Sequence, residues 1–188
     1  MGRIIEMVFE SIPGTCIQMS AIITNKAFTK TALLSLSSSI LTTAFISVQI
    51  TYDWDTDDKK RRFNPGFYGF MPRRLYEQII VGALLFLMSM FNLMIRSTSC
   101  VLIGMSFGVH MVVLVLGGEL LMYLMFKVVR RDFDYWVVLT GITLVLCNVG
   151  LRILFKFATD WALVAHFRHP LELGGGYFSF TMALTIFV

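Results

Sequence analysis

The sequence predicts an all-α fold, a polytopic transmembrane helical bundle of about five to six segments, and three observations carry that prediction. Hydrophobic residues make up 56% of the 188-residue chain. Mean hydropathy is +0.73, so the apolar surface exceeds what a soluble domain of this length can bury. Apolar runs recur at close to the roughly 20 residues that carry a helix across the hydrocarbon layer, whereas the alternating strands of about ten residues that build a membrane barrel are not seen.

The first span covers 4–24 and contains Glu10-Ser11-Ile12-Pro13-Gly14-Thr15-Cys16-Ile17-Gln18. Glu6, Glu10, Gly14 and Gln18 recur every four residues, which on a regular helix makes one polar stripe. Pro13 removes a backbone donor and Gly14 follows it, which leaves open a re-entrant first segment. The start MGRIIEMVFE is not a signal peptide, because glutamates interrupt its apolar stretch and no small-residue cleavage site follows. Glu6 stands where a myristoylation signal needs Ser or Thr.

The second span is 31–51, and the loop 52–74 after it carries an acidic run, a basic run and interleaved aromatics. Such a mixture suits the headgroup layer: Lys59, Lys60, Arg61, Arg62, Arg73 and Arg74 face anionic lipid while the aromatics lie at the interface. Spans at 75–95 and 101–126 follow, then KVVRRDFDYW, where Arg130 and Arg131 repeat that arrangement, then a span at 135–155. The glycine-rich LGGGYF lacks the Lys-Ser/Thr of a phosphate loop and reads as a break before a last segment starting near Tyr177. That segment stops while still apolar, so the expectation is a single transmembrane domain over 1–188 belonging to a longer protein.

If the spans alternate, one face receives Arg3, the basic residues of the 52–74 loop, Lys127, Arg130 and Arg131, the larger share of the 16 Lys and Arg. The positive-inside rule then puts the N-terminus and that loop in the cytoplasm. An integral membrane protein, of the plasma membrane rather than internal membranes, is expected.

Polar residues inside spans are costly and face protein or water. The candidates for a polar groove are Glu6, Glu10, Gln18, Asn92, Arg96, His110, Glu119, Asn148 and Arg152. With the spans as drawn, Glu6, Glu10 and Glu119 fall in the cytoplasmic half, and Asn92, Arg96, His110, Asn148 and Arg152 in the outer half. Arg96 and Glu119 are then separated by roughly 20 Å or more of helix rise, so Glu119 is expected to meet Arg73, Arg74 or Lys127, or to be protonated. The competing reading is that these residues only tie helices together.

The stretch Glu10 to Gln18 resembles the E-S-x-P-Q-x-x-L-Q signature of the XK-related membrane proteins, with Glu10, Ser11, Pro13 and Gln18 in register. Gly14 and Ile17 depart from it. ALLSLSSSI and LLFLMSMFNLMIRSTSCVLIG are similar in character to that family's next two helices, so the resemblance runs over about 4–104. It implies a related helical bundle and, by analogy with the family's scrambling members, a polar path for lipid headgroups with Glu10, Gln18 and Arg96 in its wall.

No catalytic residue, cofactor or metal site is predicted. His110 has no carboxylate on its own face, and His166 and His169 have only Glu172 and Asp160 nearby. Cys16, Cys100 and Cys147 lie in or beside apolar runs and read as packing thiols. No nucleic-acid partner is expected, because the net charge of +4 is explained by the membrane-facing loops. The expected partners are membrane lipids, anionic phospholipids among them, and a membrane-protein partner or a second copy of the chain. Two functions stay open: a phospholipid-scramblase-like lipid conduit, and a non-transporting scaffold or sensor module of a larger protein.

Overall fold

The computed structural model describes residues 2–25, 29–57, 71–129, 149, 150, 153, 154, 156–158 and 160–162. Among them the chain is helical, with no strand. A short helix α1 (Gly2–Glu6) runs through a π-helical turn (Met7–Ser11) into α2 (Ile12–Asn25). Then come α3 (Lys30–Thr56), α4 (Leu75–Phe107) and α5 (Val109–Val129). Helical residues reappear in the 149–162 segment, the first four within the span expected at 135–155 and the rest past its end. The expected segment from Tyr177 lies outside the described residues.

Pro13 explains the π turn. Its ring has no N–H and crowds the carbonyl four residues earlier in a regular helix. Widening the preceding turn relieves that clash, and the Ile12 N–H accordingly reaches back to the Met7 carbonyl. The helical course is continuous from 2 to 25, so Pro13 widens the first segment without turning it back.

Among the described residues three helices, α3, α4 and α5, are long and apolar enough to cross a membrane, as in a membrane-embedded protein. With 33 residues α4 is about 50 Å long, well beyond the roughly 30 Å of hydrocarbon. It is the central helix, packed against α2, α3 and α5. The surface carries large apolar side chains such as Phe45, Leu84, Phe91, Leu102 and Leu114, while Thr43, Ser47, Thr51, Ser89, Arg96 and Ser97 are buried. Apolar groups outside and polar groups inside are what lipid as solvent favours.

Two helix boundaries differ from the sequence expectation, and together they move the turn between the third and fourth spans. RSTS at 96–99 reads as a connection, yet α4 runs through it. The Ser97 hydroxyl donates to the Leu93 carbonyl at 2.7 Å and contacts the Met94 carbonyl at 3.1 Å, so this polar dip is satisfied within the helix. The chain turns at Gly108 instead, where φ is +86°, a region that glycine enters without strain. An antiparallel hairpin about residue 108 pairs positions whose numbers sum to about 216. Gly104 and Val112 obey this register, since a Cβ built on Gly104 would lie 3.4 Å from Val112 Cγ2.

Candidate functional site

The hairpin register brings Arg96 and Glu119 to one level, which corrects the expected separation. Arg96 lies 12 residues before the turn and Glu119 11 residues after it, so the two rises nearly cancel. The guanidinium holds the carboxylate with both prongs, Nη1 to Oε2 at 2.9 Å and Nη2 to Oε1 at 2.7 Å. Their side chains are 8% and 13% exposed. A planar fork matched to a carboxylate is the strongest form of this contact. Glu119 therefore meets Arg96 instead of Arg73 or Arg74, both of which are exposed, with Arg74 3.7 Å from Glu77. The expected division into an acid-lined inner half and a base-lined outer half does not hold here: acid and base share one level.

A second buried pair stands beside the first. Lys156 and Asp160, four residues apart on the 149–162 segment, form an ion pair with both side chains almost fully enclosed. Asp160 is within electrostatic reach of Arg96, and Lys156 of Glu119. The result is a neutral quartet contributed by α4, α5 and this segment. Lys156 also lies 5.4 Å from the centre of the Tyr123 ring, and Lys127 5.7 Å, so two cations share the buried ring of Tyr123.

Asn92, one turn before Arg96, anchors the same segment. Its amide donates to the carbonyls of Asp160 at 2.6 Å and Trp161 at 3.1 Å. From α3, the Ser47 hydroxyl donates to the Ala162 carbonyl at 2.7 Å. These bonds tie the 149–162 segment to α4 and α3. Phe157 and Trp161 stack with ring centroids 5.5 Å apart.

The quartet borders a cavity of about 310 Å³, lined by Arg96, Glu119, Lys156 and Asp160 on its polar side and by Val113, Leu116, Leu120 and Ile153 among its apolar residues. A larger apolar groove of about 810 Å³ runs between α2, α4 and α5 past Cys16, Cys100 and Gly104. Leu116, Phe157 and Trp161 line both spaces. The stacked aromatic pair thus stands where a charged chamber adjoins an apolar one.

The remaining expected groove residues lie elsewhere. Glu6, Glu10 and His110 are exposed and line neither space. For the first segment the π turn supplies the reason: one residue more per turn rotates the rest of the helix by about 100°, so the four-residue spacing of Glu6, Glu10 and Gln18 no longer makes a straight stripe. Gln18 is half-buried, and its Oε1 is enclosed without a hydrogen-bond partner among the described residues. Asn148 and Arg152 lie outside the residues whose side chains are described, as do Lys59, Lys60, Arg61, Arg62, Arg130, Arg131, His166 and His169. Among the described residues no three His, Cys, Asp or Glu side chains come together as a metal site.

One feature had a sequence signal of its own. Thr31, Ser35, Ser39, Thr43, Ser47, Thr51 and Asp55 succeed each other at four-residue intervals along α3. The hydroxyls of Thr43 and Thr51 donate to carbonyls four residues back, at 2.8 and 3.0 Å, and Thr15 of α2 contacts Ser39 at 3.2 Å. Asp55 closes the stripe by accepting the Met71 backbone N–H. This ridge of small polar residues lets α2 and α4 approach α3 closely.

No protein-family model, curated protein or solved structure matches this chain.

Proposed function

We propose that this chain is a multi-pass membrane protein that acts as a lipid conduit of the scramblase type, as its resemblance to the XK-related proteins implies. The observation that supports this reading is the buried charge quartet. Glu119 is the eleventh of the 21 residues of α5, so the quartet falls at mid-span of a helix sized to cross the bilayer. Charged groups at that depth are expensive, and pairing alone rarely recovers the cost against an apolar core. Charged groups that line a cavity at that depth offer a polar path: a headgroup enters the charged chamber while its acyl chains stay with the apolar groove or the surrounding lipid. Phe157 and Trp161 stand between the two.

On this reading the N-terminus and the 52–74 loop face the cytoplasm at the plasma membrane, and the loop's basic residues attract anionic lipid. A second reading has its own observation. The two ion pairs satisfy each other across α4, α5 and the 149–162 segment, which is also how a non-transporting scaffold or sensor module would clamp its helices.

Full-length protein in liposomes with fluorescent lipid in both leaflets tests the conduit. Added reductant should bleach well beyond the outer half. Gly117 lines the cavity and a Cβ there meets nothing within 4 Å, so Gly117→Leu should plug the chamber and confine bleaching to the outer half. Bleaching confined to the outer half in the unaltered protein would refute the conduit and favour the scaffold.

A further inference from the structure

Away from the quartet, a cavity of about 450 Å³ opens where α1 begins, α3 ends and α4 starts. Arg3, Gln49, Tyr52, Asp53 and Gln78 are its polar lining, and Leu75 and Ile79 part of its apolar lining. Arg3 Nη1 reaches Gln49 Oε1 at 3.3 Å and Asp53 Oδ2 at 3.4 Å. Both contacts are longer than the about 2.7–2.9 Å of a well-formed charged hydrogen bond. The Arg3 and Asp53 side chains are 55% and 47% exposed, and such a pair contributes little to stability. A cation and an anion therefore form a loose, exposed pair at the lining of the cavity, one that separates at little cost.

The position fits a lipid headgroup. With 27 residues, α3 is about 40 Å long against roughly 30 Å of hydrocarbon, so its last turns, which carry Gln49 and Asp53, reach toward the headgroup layer. Tyr52 and Tyr76 are exposed nearby, as tyrosines at a membrane interface are. Leu75 and Ile79, one turn apart on α4 and 73% and 64% exposed, make the apolar side of the cavity an exposed ridge.

We infer that this cavity binds the headgroup of a zwitterionic phospholipid bearing a primary ammonium, a phosphoethanolamine lipid. Its phosphate accepts from Arg3, its ammonium donates to Asp53 and Gln49 Oε1, and its acyl chains lie along Leu75 and Ile79. Such a head exchanges one loose ion pair for two and leaves neither side chain unpaired. An anionic head without an amine would face Asp53, and a trimethylammonium has no N–H to donate. The inference requires only that the chain sits in a bilayer, so it stands or falls separately from lipid transport.

Native mass spectrometry of the full-length protein, equilibrated with equal amounts of phosphatidylethanolamine, phosphatidylcholine and phosphatidylglycerol, tests it. One phosphatidylethanolamine should be retained in about tenfold preference, the margin expected of one charged hydrogen bond. Asp53→Asn should abolish the preference, and Gln49→Leu, which leaves both charges in place, should weaken it. Arg3→Gln should reduce retention of phosphatidylethanolamine and phosphatidylcholine alike. Preferential retention of phosphatidylglycerol, equal retention of all three, or an unchanged profile in Asp53→Asn would overturn the inference.

Discussion

The guanidinium of Arg96 has two ways to be tolerated inside an apolar bundle, a carboxylate or water, and here the bidentate Glu119 supplies the first. This makes the two residues strongly coupled. Arg96→Met alone leaves a buried carboxylate, and Glu119→Leu alone leaves a buried guanidinium; each should destabilise by about 3–5 kcal/mol. The double variant should recover most of that loss, because well-packed apolar side chains replace a satisfied pair at little or no cost. Thermal unfolding in detergent, treated as a double-mutant cycle, measures the coupling directly. Additive losses would mean that the two side chains do not meet. At this scale the sequence was legible in residue type and illegible in partnership. Arg96 and Glu119 stand out in any hydropathy reading, but their distance depends on where the chain turns. Lys156 and Asp160 were harder to see, since they fall past the expected end of their span, although their four-residue spacing is a helical ion-pair signal.

At the scale of elements, the α4–α5 hairpin was misplaced because Ser97 and Arg96 look like loop residues until their partners are known. Composition shows polarity and not whether it is satisfied, which a hydroxyl achieves on its own helix and a charge only across helices. The register is open to direct test. In a background with Cys16, Cys100 and Cys147 replaced by Ser, Gly104→Cys with Val112→Cys should cross-link on mild oxidation, detected by mass spectrometry. Leu93→Cys with Gly104→Cys, the pair favoured by a turn at 96–101, should not. Gly108→Ala should lower the melting temperature, since a Cβ at φ +86°, ψ 167°, a region essentially confined to glycine, costs about 1–3 kcal/mol. Pro13→Ala, by contrast, removes the cause of the π turn. A spin label on Glu10→Cys should then change its accessibility to lipid-soluble and water-soluble quenchers as the preceding turn rotates. Motif reading located Pro13 but did not distinguish a widened turn from a hairpin, because both arise from one missing N–H.

For the whole molecule, an apolar exterior was legible in the composition, and α3, α4 and α5 are the helices that express it, around an interior in which buried polar side chains stand among apolar ones. The hydroxyl ridge of α3 was overlooked because Ser and Thr are nearly neutral in hydropathy, and only their four-residue interval marks the face where helices close up. Sidedness rests on the basic loops and is tested by labelling in intact cells. Asn25→Cys should react from outside, and Thr56→Cys only after permeabilisation. Thr56→Cys reacting from outside would reverse the orientation.

The central claim is that the quartet is kept for the path it lines and not for the helices it joins. Arg96→Met/Glu119→Leu separates these roles, because it keeps the packing between α4 and α5 and removes one of the two charged pairs that line the cavity. In the liposome bleaching assay, with helical content and melting temperature matched to the parent, bleaching by the double variant should stop at the outer half while the parent protein bleaches beyond it. A double variant that bleaches as fully as its parent would contradict the claim.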